Sequence, residues 1–476
     1  MQRLPPISHA TLKCLVLSAL LFPCALWAQV EIPSTPAGEV FGEWLASYNA
    51  ADAERIGRFQ HVHRRETPVA DVLDWRRETG GYELEVLDAP TPTSLTATLR
   101  ERELPDSRIR FQMTVTPGAP TRIASLDVEQ LPTPRLDEAA LLGALVARAD
   151  ALVEQDRFSG AVLVSRHGRI LFERAWGQAD RAKGTPNTVD TQFRLGSMNK
   201  IITAVAILQL VEAGKLALDT PIAAYLSDYP NKDAASKVTI RHLLTHRGGI
   251  GEIGFNDSPE FTTPAEFIAR RDAMKTPADY VRQYAGQALA FEPGARTEYS
   301  SLGFMILGRL IEHASGEDYY TYVQRHVYDR AGMGATGSLP ETTRVPQRAV
   351  GYMRHGESRV DNADTLPYRG SPAGGGYSTV GDLLRFSQAL QGGKLLSPAM
   401  FAEATRLQSG WQGLGFEVVG EGLLANYGHG GMAPGMNAHF RVFPASGYVI
   451  IVLSNFDPPA AGLVYSYLHD RMPLDD

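Results

Sequence analysis

The stretch Phe193–Lys215, FRLGSMNKIITAVAILQLVEAGK, decides how the rest of this chain is read. From Ile201 to Val211 it is apolar nearly all round, the mark of a helix buried at the centre of its domain. Gly196 suits the entry to that helix and Gly214 a left-handed stop. Ser197 and Lys200 stand at i and i+3 at its start, a spacing that places both side chains on one helical face. A lysine held in an apolar site tends to lose its proton, and the helix N-terminus favours both that loss and negative charge developing at the serine. The expectation is a serine with an amine base beside it on a rigid support. The bland alternative is a serine near a helix start and a lysine reaching out to solvent.

Composition bounds the setting. The chain has 476 residues, 44% hydrophobic and 21% charged, with a net charge of −7. That is ample core material, and without a basic tail it excludes nucleic acid as an expected partner. Residues 1–28 read as a secretory signal peptide: Arg3 and Lys13 precede an apolar run from Cys14 to Trp27, with Ala28 at the cleavage point. Export to the periplasm or the medium follows, with no stable membrane insertion after cleavage. Cys14 and Cys24 both lie in this leader. The remainder therefore excludes disulfides, thiol catalysis and thiolate metal sites.

Residues 30–132 read as a small α+β domain. Val40, Phe41, Trp44, Leu45 and Tyr48 recur with helical spacing, and Val69 to Glu78 is a second expected helix. Gly80-Gly81 then introduces four strand-like runs: Tyr82–Leu87, Leu95–Arg102, Arg108–Thr116 and Arg122–Leu131. The order of elements resembles a cystatin-like or nuclear-transport-factor-like cone. His61 and His63 form an H-x-H without flanking ligands and read as a surface pair. LPTPRL (131–136) reads as a linker.

Residues 137–476 read as one α/β (α+β) unit. A helix over Leu136–Glu154 precedes a hairpin over Ala161–Gly177 turning at His167-Gly168. VTIRHLLTHRGG (238–249) reads as a helix ending at Gly248-Gly249, with His242 and His246 as packed or capping histidines. ALAFEPGARTEYSSLGFMILGRLIEHASG (288–316) is a turn and a second apolar helix, and SPAGGGYSTVGDLLRF (371–386) a glycine-rich loop entering another. Strands at His439–Phe443 and Tyr448–Asn455 and a helix over Ala460–Met472 end the chain. Strands at both ends and helices between imply one sheet built from both chain ends, with the helical middle inserted.

Ser197-Met198-Asn199-Lys200, Tyr299-Ser300-Ser301 and His429-Gly430-Gly431 occur in that order. They resemble the S-x-x-K, the Y-x-N and the K-T-G or H-x-G elements of the penicillin-recognising serine hydrolases. That group contains class C β-lactamases, D-alanyl-D-alanine carboxypeptidases, D-aminopeptidases and related esterases. The resemblance, from near Phe158 to near Asp457, implies a β-lactamase/transpeptidase-like antiparallel sheet flanked by helices. It implies Ser197 as nucleophile, Lys200 as first candidate base, and Tyr299 as base or proton shuttle should nearby cations depress its pKa. It puts the oxyanion hole at the backbone N–H groups of Ser197 and Met432, with Gly430 and Gly431 letting the strand approach the substrate. No metal or cofactor is called for.

Two departures bear on substrate. Ser301 replaces the asparagine of Y-x-N, a shorter side chain with fewer hydrogen-bonding groups. His429 replaces the lysine of K-T-G and is only partly charged at neutral pH. Both favour an esterase or peptidase, acting on a small-molecule or peptide substrate of D-amino-acid or cell-wall type. The alternatives are a true β-lactamase, or a catalytically weak penicillin-binding-like sensor or binding module. A Ser-His-Asp hydrolase lacks support because no G-x-S-x-G occurs. A metallohydrolase lacks a ligand set. Nothing in the sequence bears on oligomeric state.

Overall fold

The computed structural model describes residues 30–63, 67–88, 90–253, 269, 271–356 and 358–474. The leader read over residues 1–28, with both cysteines, lies outside the described residues. Two compact units divide the chain, the first ending at Pro132 and the second starting at Thr133. No helix among the described residues is long and apolar enough to cross a membrane.

In the first unit α1 (Pro36–Ala50) starts with proline in its first turn and Thr35 Oγ accepting the Gly38 N–H at 3.1 Å. Its Val40, Phe41, Trp44 and Tyr48 are buried. α2 (Ala53–His63) and α3 (Val69–Thr79) follow. Then β1 (Tyr82–Asp88), β2 (Ser94–Glu101), β3 (Arg108–Thr116) and β4 (Arg122–Gln130) form an antiparallel meander in chain order. Burial alternates along β2 and β3, so Leu95, Ala97, Leu99, Ile109, Phe111 and Met113 share the core face. Trp44 packs on Phe111 with ring centroids 4.3 Å apart. The sequence reading left out α2, whose eleven residues are mostly polar and bury only Ile56, Phe59 and His63. It also misread the H-x-H. His61 is exposed, but His63 is buried, with Nδ1 2.7 Å from the Thr121 carbonyl and Nε2 3.0 Å from Glu43. That ring fastens α2 to its neighbours and is not part of a surface pair.

The second unit opens with α4 (Glu138–Glu154), capped by Asp137. A hairpin follows, β5 (Gly160–Arg166) and β6 (Arg169–Trp176), turning through left-handed His167 and Gly168. Four more strands come from the C-terminal end: β7 (Glu417–Val419), β8 (Asn426–Ala433), β9 (Met436–Phe443) and β10 (Tyr448–Ser454). Their antiparallel order is β7-β8-β9-β10-β5-β6, so the first and last parts of the unit close one sheet, as expected from the pattern. The unbroken apolar runs AVLV and YVIIVL reflect burial on both faces. One face, with Leu163, Phe440 and Ile451, packs on the helical insert. The other, with Val162, Val164 and Val452, packs on α4 and α9 (Ala460–Arg471).

At the centre of the insert runs α5 (Asn199–Glu212), buried from Asn199 to Leu208. It ends as a Schellman motif, with Gly214 at φ +69° and the Lys215 N–H on the Leu210 carbonyl at 2.9 Å. Around it stand α6 (Ile240–Leu244), α7 (Ser301–Ser315) and α8 (Val380–Gln391). α6 is far shorter than the helix read over 238–249. Thr239 and His242 close a capping box, and by His246 the backbone is left-handed at φ +54°.

Candidate active site

Ser197 does not open the α-helix itself. It lies in a 3₁₀ turn, Gly196–Met198, that runs into α5. In a 3₁₀ turn side chains at i and i+3 eclipse, which brings Lys200 Nζ to 3.4 Å from Ser197 Oγ. Lys200 is wholly buried. Its ammonium also donates to the Ala373 carbonyl in the glycine-rich loop, and stands 4.6 Å from the Tyr299 ring centroid. Burial lowers its pKa from 10.5 to about 7, although Glu252 and Glu417 pull the other way.

The turn is pressed against β8. A Cβ on Gly431 would come within 1.9 Å of the Leu195 carbonyl oxygen, and one on Gly196 within 2.9 Å of the Met432 nitrogen. Only glycine at 431 allows that approach, which sets the Met432 amide beside the Ser197 turn. The sequence reading gave Gly430 and Gly431 a shared task toward substrate. Gly431 instead meets the serine's own turn, and a Cβ on Gly430 would meet only the Ala438 carbonyl, at 3.8 Å. The Met432 side chain is exposed.

Tyr299 precedes α7. About a third of the residue reaches solvent, while its hydroxyl end is enclosed within hydrogen-bonding reach of Ser197 and Ser301. Burial pushes its pKa well up, Glu252 and Glu417 add to the rise, and the two serine contacts do not reverse it. The condition for Tyr299 to act as the base, a phenol depressed by nearby cations, is thus not met: Tyr299 is a neutral hydroxyl, and Lys200 is the group that titrates near pH 7. Ser300 caps α7 by accepting the Gly303 N–H at 3.1 Å. The Ser301 N–H, at the same helix start, donates to Glu252 at 2.7 Å.

His429 is 2% exposed. Its Nδ1 donates to the Gly430 carbonyl and stands 3.5 Å from Glu417. Burial lowers its pKa below the ordinary 6.5, only partly offset by Glu417. The partial charge expected at neutral pH is therefore reduced further. Glu417, from β7, accepts the Gly430 N–H at 3.2 Å and pairs with Arg441. Burial raises its carboxyl, but His429 and Arg441 outweigh that and hold it ionised.

All the residues expected from the sequence converge here: Ser197, Lys200, Tyr299, Ser301 and the run His429–Met432. Three neighbours were missed. His246 is buried and stacks on Tyr299 with centroids 4.5 Å apart. Its Nδ1 accepts the Ser300 N–H at 3.1 Å, and burial, with Lys200 nearby, holds its pKa well below the ordinary 6.5. Trp411 adds a second ring 6.4 Å from Tyr299. Glu252 is exposed and carries the nearest carboxylate to Ser301. Only the left-handed turn at His246, hinted at by the following Gly248-Gly249, had a local signal. Among the described residues no cluster of histidines, cysteines and acids could hold a metal ion.

Comparison with known proteins agrees with this geometry. The family model described as Beta-lactamase matches residues 140–469. Esterase EstB of Burkholderia gladioli is 33% identical over 322 residues, covering 61% of this chain and 80% of its own. The solved penicillin binding protein from Bacillus halodurans superposes with a TM-score of 0.60 at 30% identity, over 67% of this chain and 98% of its own. A D-amino acid amidase from Ochrobactrum anthropi SV3 shares the fold at a TM-score of 0.60 and 22% identity, over 70% and 98%. The chain belongs to the Beta-lactamase family and is an enzyme of the serine hydrolase type.

Proposed function

We propose that the enzyme hydrolyses esters or amides whose acyl part lacks a carboxylate, through an acyl-enzyme on Ser197. The observation that carries this is the buried Lys200 amine 3.4 Å from Ser197 Oγ, with a pKa near 7. Neutral Lys200 takes the hydroxyl proton as Oγ attacks the carbonyl carbon. The oxyanion is received by the Ser197 and Met432 amides. Tyr299 passes its proton to the leaving oxygen or nitrogen and is reprotonated from Lys200. Water then attacks the ester carbon, Ser197 regains its proton, and the acid leaves.

Charge narrows the substrate. Lys200 titrates near pH 7, burial holds His429 below its ordinary pKa, and Arg441 is paired with Glu417. Among the described residues, Glu252 is the carboxylate at the site that no cation pairs. A substrate carboxylate would meet repulsion here, and an amine would meet attraction. This supports neutral esters and amides of amino acids bearing a free amine, the chemistry named for the amidase of the same fold, over penicillins and D-Ala-D-Ala ends. Purified protein assayed with p-nitrophenyl esters, D-amino-acid amides and chromogenic cephalosporins should favour the first two classes. Glu252→Gln should lower kcat/KM for amine-bearing amides about tenfold, the value of one charge-assisted contact, and leave neutral esters unchanged. A cephalosporin preferred over every ester and amide would refute the reading.

We also infer, from the charged and apolar leader at 1–28, that the enzyme is exported. The 30–132 region is taken as a separately folding domain. A chain beginning at Leu136 should keep ester turnover within a few-fold. If it is insoluble and regains activity when residues 30–132 are supplied in trans, the two parts are one inseparable unit.

A further inference from the structure

In the second unit, a cavity of about 390 Å³ shares no lining residue with the reaction centre. Among the described residues its wall carries Arg194, Arg271, Arg344 and Arg348 against Asp272 and Glu341, an excess of two positive charges. Glu341 is already committed. It takes a forked contact from Arg194, at 3.2 and 2.7 Å, and a third from Arg348 Nη2, at 3.1 Å. Arg194 and Arg348 have side chains 9% and 7% exposed. Two buried guanidiniums thus share one carboxylate. Arg348 Nη1 has no hydrogen-bond partner among the described residues, although the atom is out of solvent.

Arg348 Nη2 also donates to the Glu341 and Thr343 carbonyls, at 3.4 and 3.1 Å, so Nη1 is the unmet donor, and natural structures satisfy such a buried group. At the rim, Arg344 is exposed and forms no ion pair or hydrogen bond with any described residue. A planar guanidinium fork matches carboxylate and phosphate oxygens, so the unspent Arg344 fork, on a wall that also carries Arg348 with its one unpartnered nitrogen, selects an oxyanion. The neighbouring Thr342 and Thr343 add hydroxyl groups to the same wall.

We propose that this cavity is a second ligand site, which binds a small molecule through a phosphate or carboxylate group held by Arg348 and Arg344. The size admits a ligand larger than a bare ion, and the position leaves Ser197 free to turn over while the site is filled.

The test is calorimetric titration of the full-length protein with inorganic phosphate and, separately, with citrate. Ionic strength is held constant with sodium chloride. Saturable binding of at least one is expected, and the tighter of the two identifies the group recognised. Arg344→Gln, at an exposed position, should weaken that binding about tenfold while hydrolysis of a neutral ester stays unchanged. Arg348→Gln should abolish it. Should Arg348→Gln fail to fold, the Arg344 result alone decides. Heats no larger than those of chloride, or equal affinity in wild type and Arg344→Gln, would overturn the proposal.

Discussion

Ser197→Ala should lose about 10⁴-fold or more in kcat with a neutral p-nitrophenyl ester, together with all labelling by a fluorophosphonate probe. Removing a serine nucleophile that acts as a unit with its base forfeits nearly the whole covalent contribution, and what remains comes from binding and oxyanion stabilisation. The fold should survive. Ser197 is only partly buried, it sits in a 3₁₀ turn whose backbone alanine adopts readily, and its hydroxyl bonds within the site, to Lys200 and Tyr299. The stability change should stay within about 1 kcal/mol, a shift of a few degrees in Tm. Intact-mass spectrometry of wild type quenched during turnover should show one acyl adduct, located on the peptide containing Ser197. A variant that retains turnover within tenfold of wild type would place the nucleophile elsewhere.

That Ser197 could be found at all without coordinates follows from where its information lies. The serine, its lysine and the apolar run behind them occupy one local stretch, and local spacing survives folding. The same is true of the two-sided burial of β5 and β10, written as unbroken aliphatic runs, and of the alternation along β2 and β3. What stayed hidden depends on contacts between distant segments. His246 meets Ser300 54 residues away, and Glu252 meets Ser301 49 residues away. No periodicity encodes either contact.

His429 shows how burial can reverse a reading. The segment NYGHGGMA is rich in glycine and polar groups and does not look like core. Yet its histidine is enclosed, with Glu417 of the edge strand β7 beside it, and burial disfavours the charge expected of it. The phenol of Tyr299 shifts in the direction opposite to the one a nearby cation suggests, for the same reason. At His429 desolvation outweighs the pull of Glu417, and at Tyr299 Glu252 and Glu417 add to it. Gly431 adds a related lesson. The glycine was visible, but whether it made room for a substrate or for the serine's own turn depended on Leu195 lying 1.9 Å from a hypothetical Cβ.

Lys200→Met should separate catalysis from stability. Methionine is close to lysine in volume and fits a site with no solvent exposure. Removing the base should lower kcat/KM by about 10²–10⁴-fold. In wild type, kcat/KM for a neutral ester should rise with pH through about 7 and level off, because the amine accepts a proton only once it has lost its own. The variant should lose that rise. Stability carries the same signature with a fixed sign. The folded-state pKa lies below the unfolded value of 10.5, so between about 7 and 10.5 the folded protein binds fewer protons than the unfolded chain, and stability from this group increases with pH across that window. Below about 7 the fold carries a buried ammonium at full cost. Every tenfold loss of proton affinity on folding corresponds to about 1.4 kcal/mol, so that cost is of the order of several kcal/mol. Methionine removes it, but leaves the Ala373 carbonyl without its donor, a loss of about 1–3 kcal/mol at every pH. The difference in Tm, variant minus wild type, should therefore be most positive near pH 6 and fall steadily towards pH 9. Thermal melts of both proteins across that range measure it. A difference independent of pH would show that Lys200 is charged to the same extent folded and unfolded, and would remove it as the neutral base.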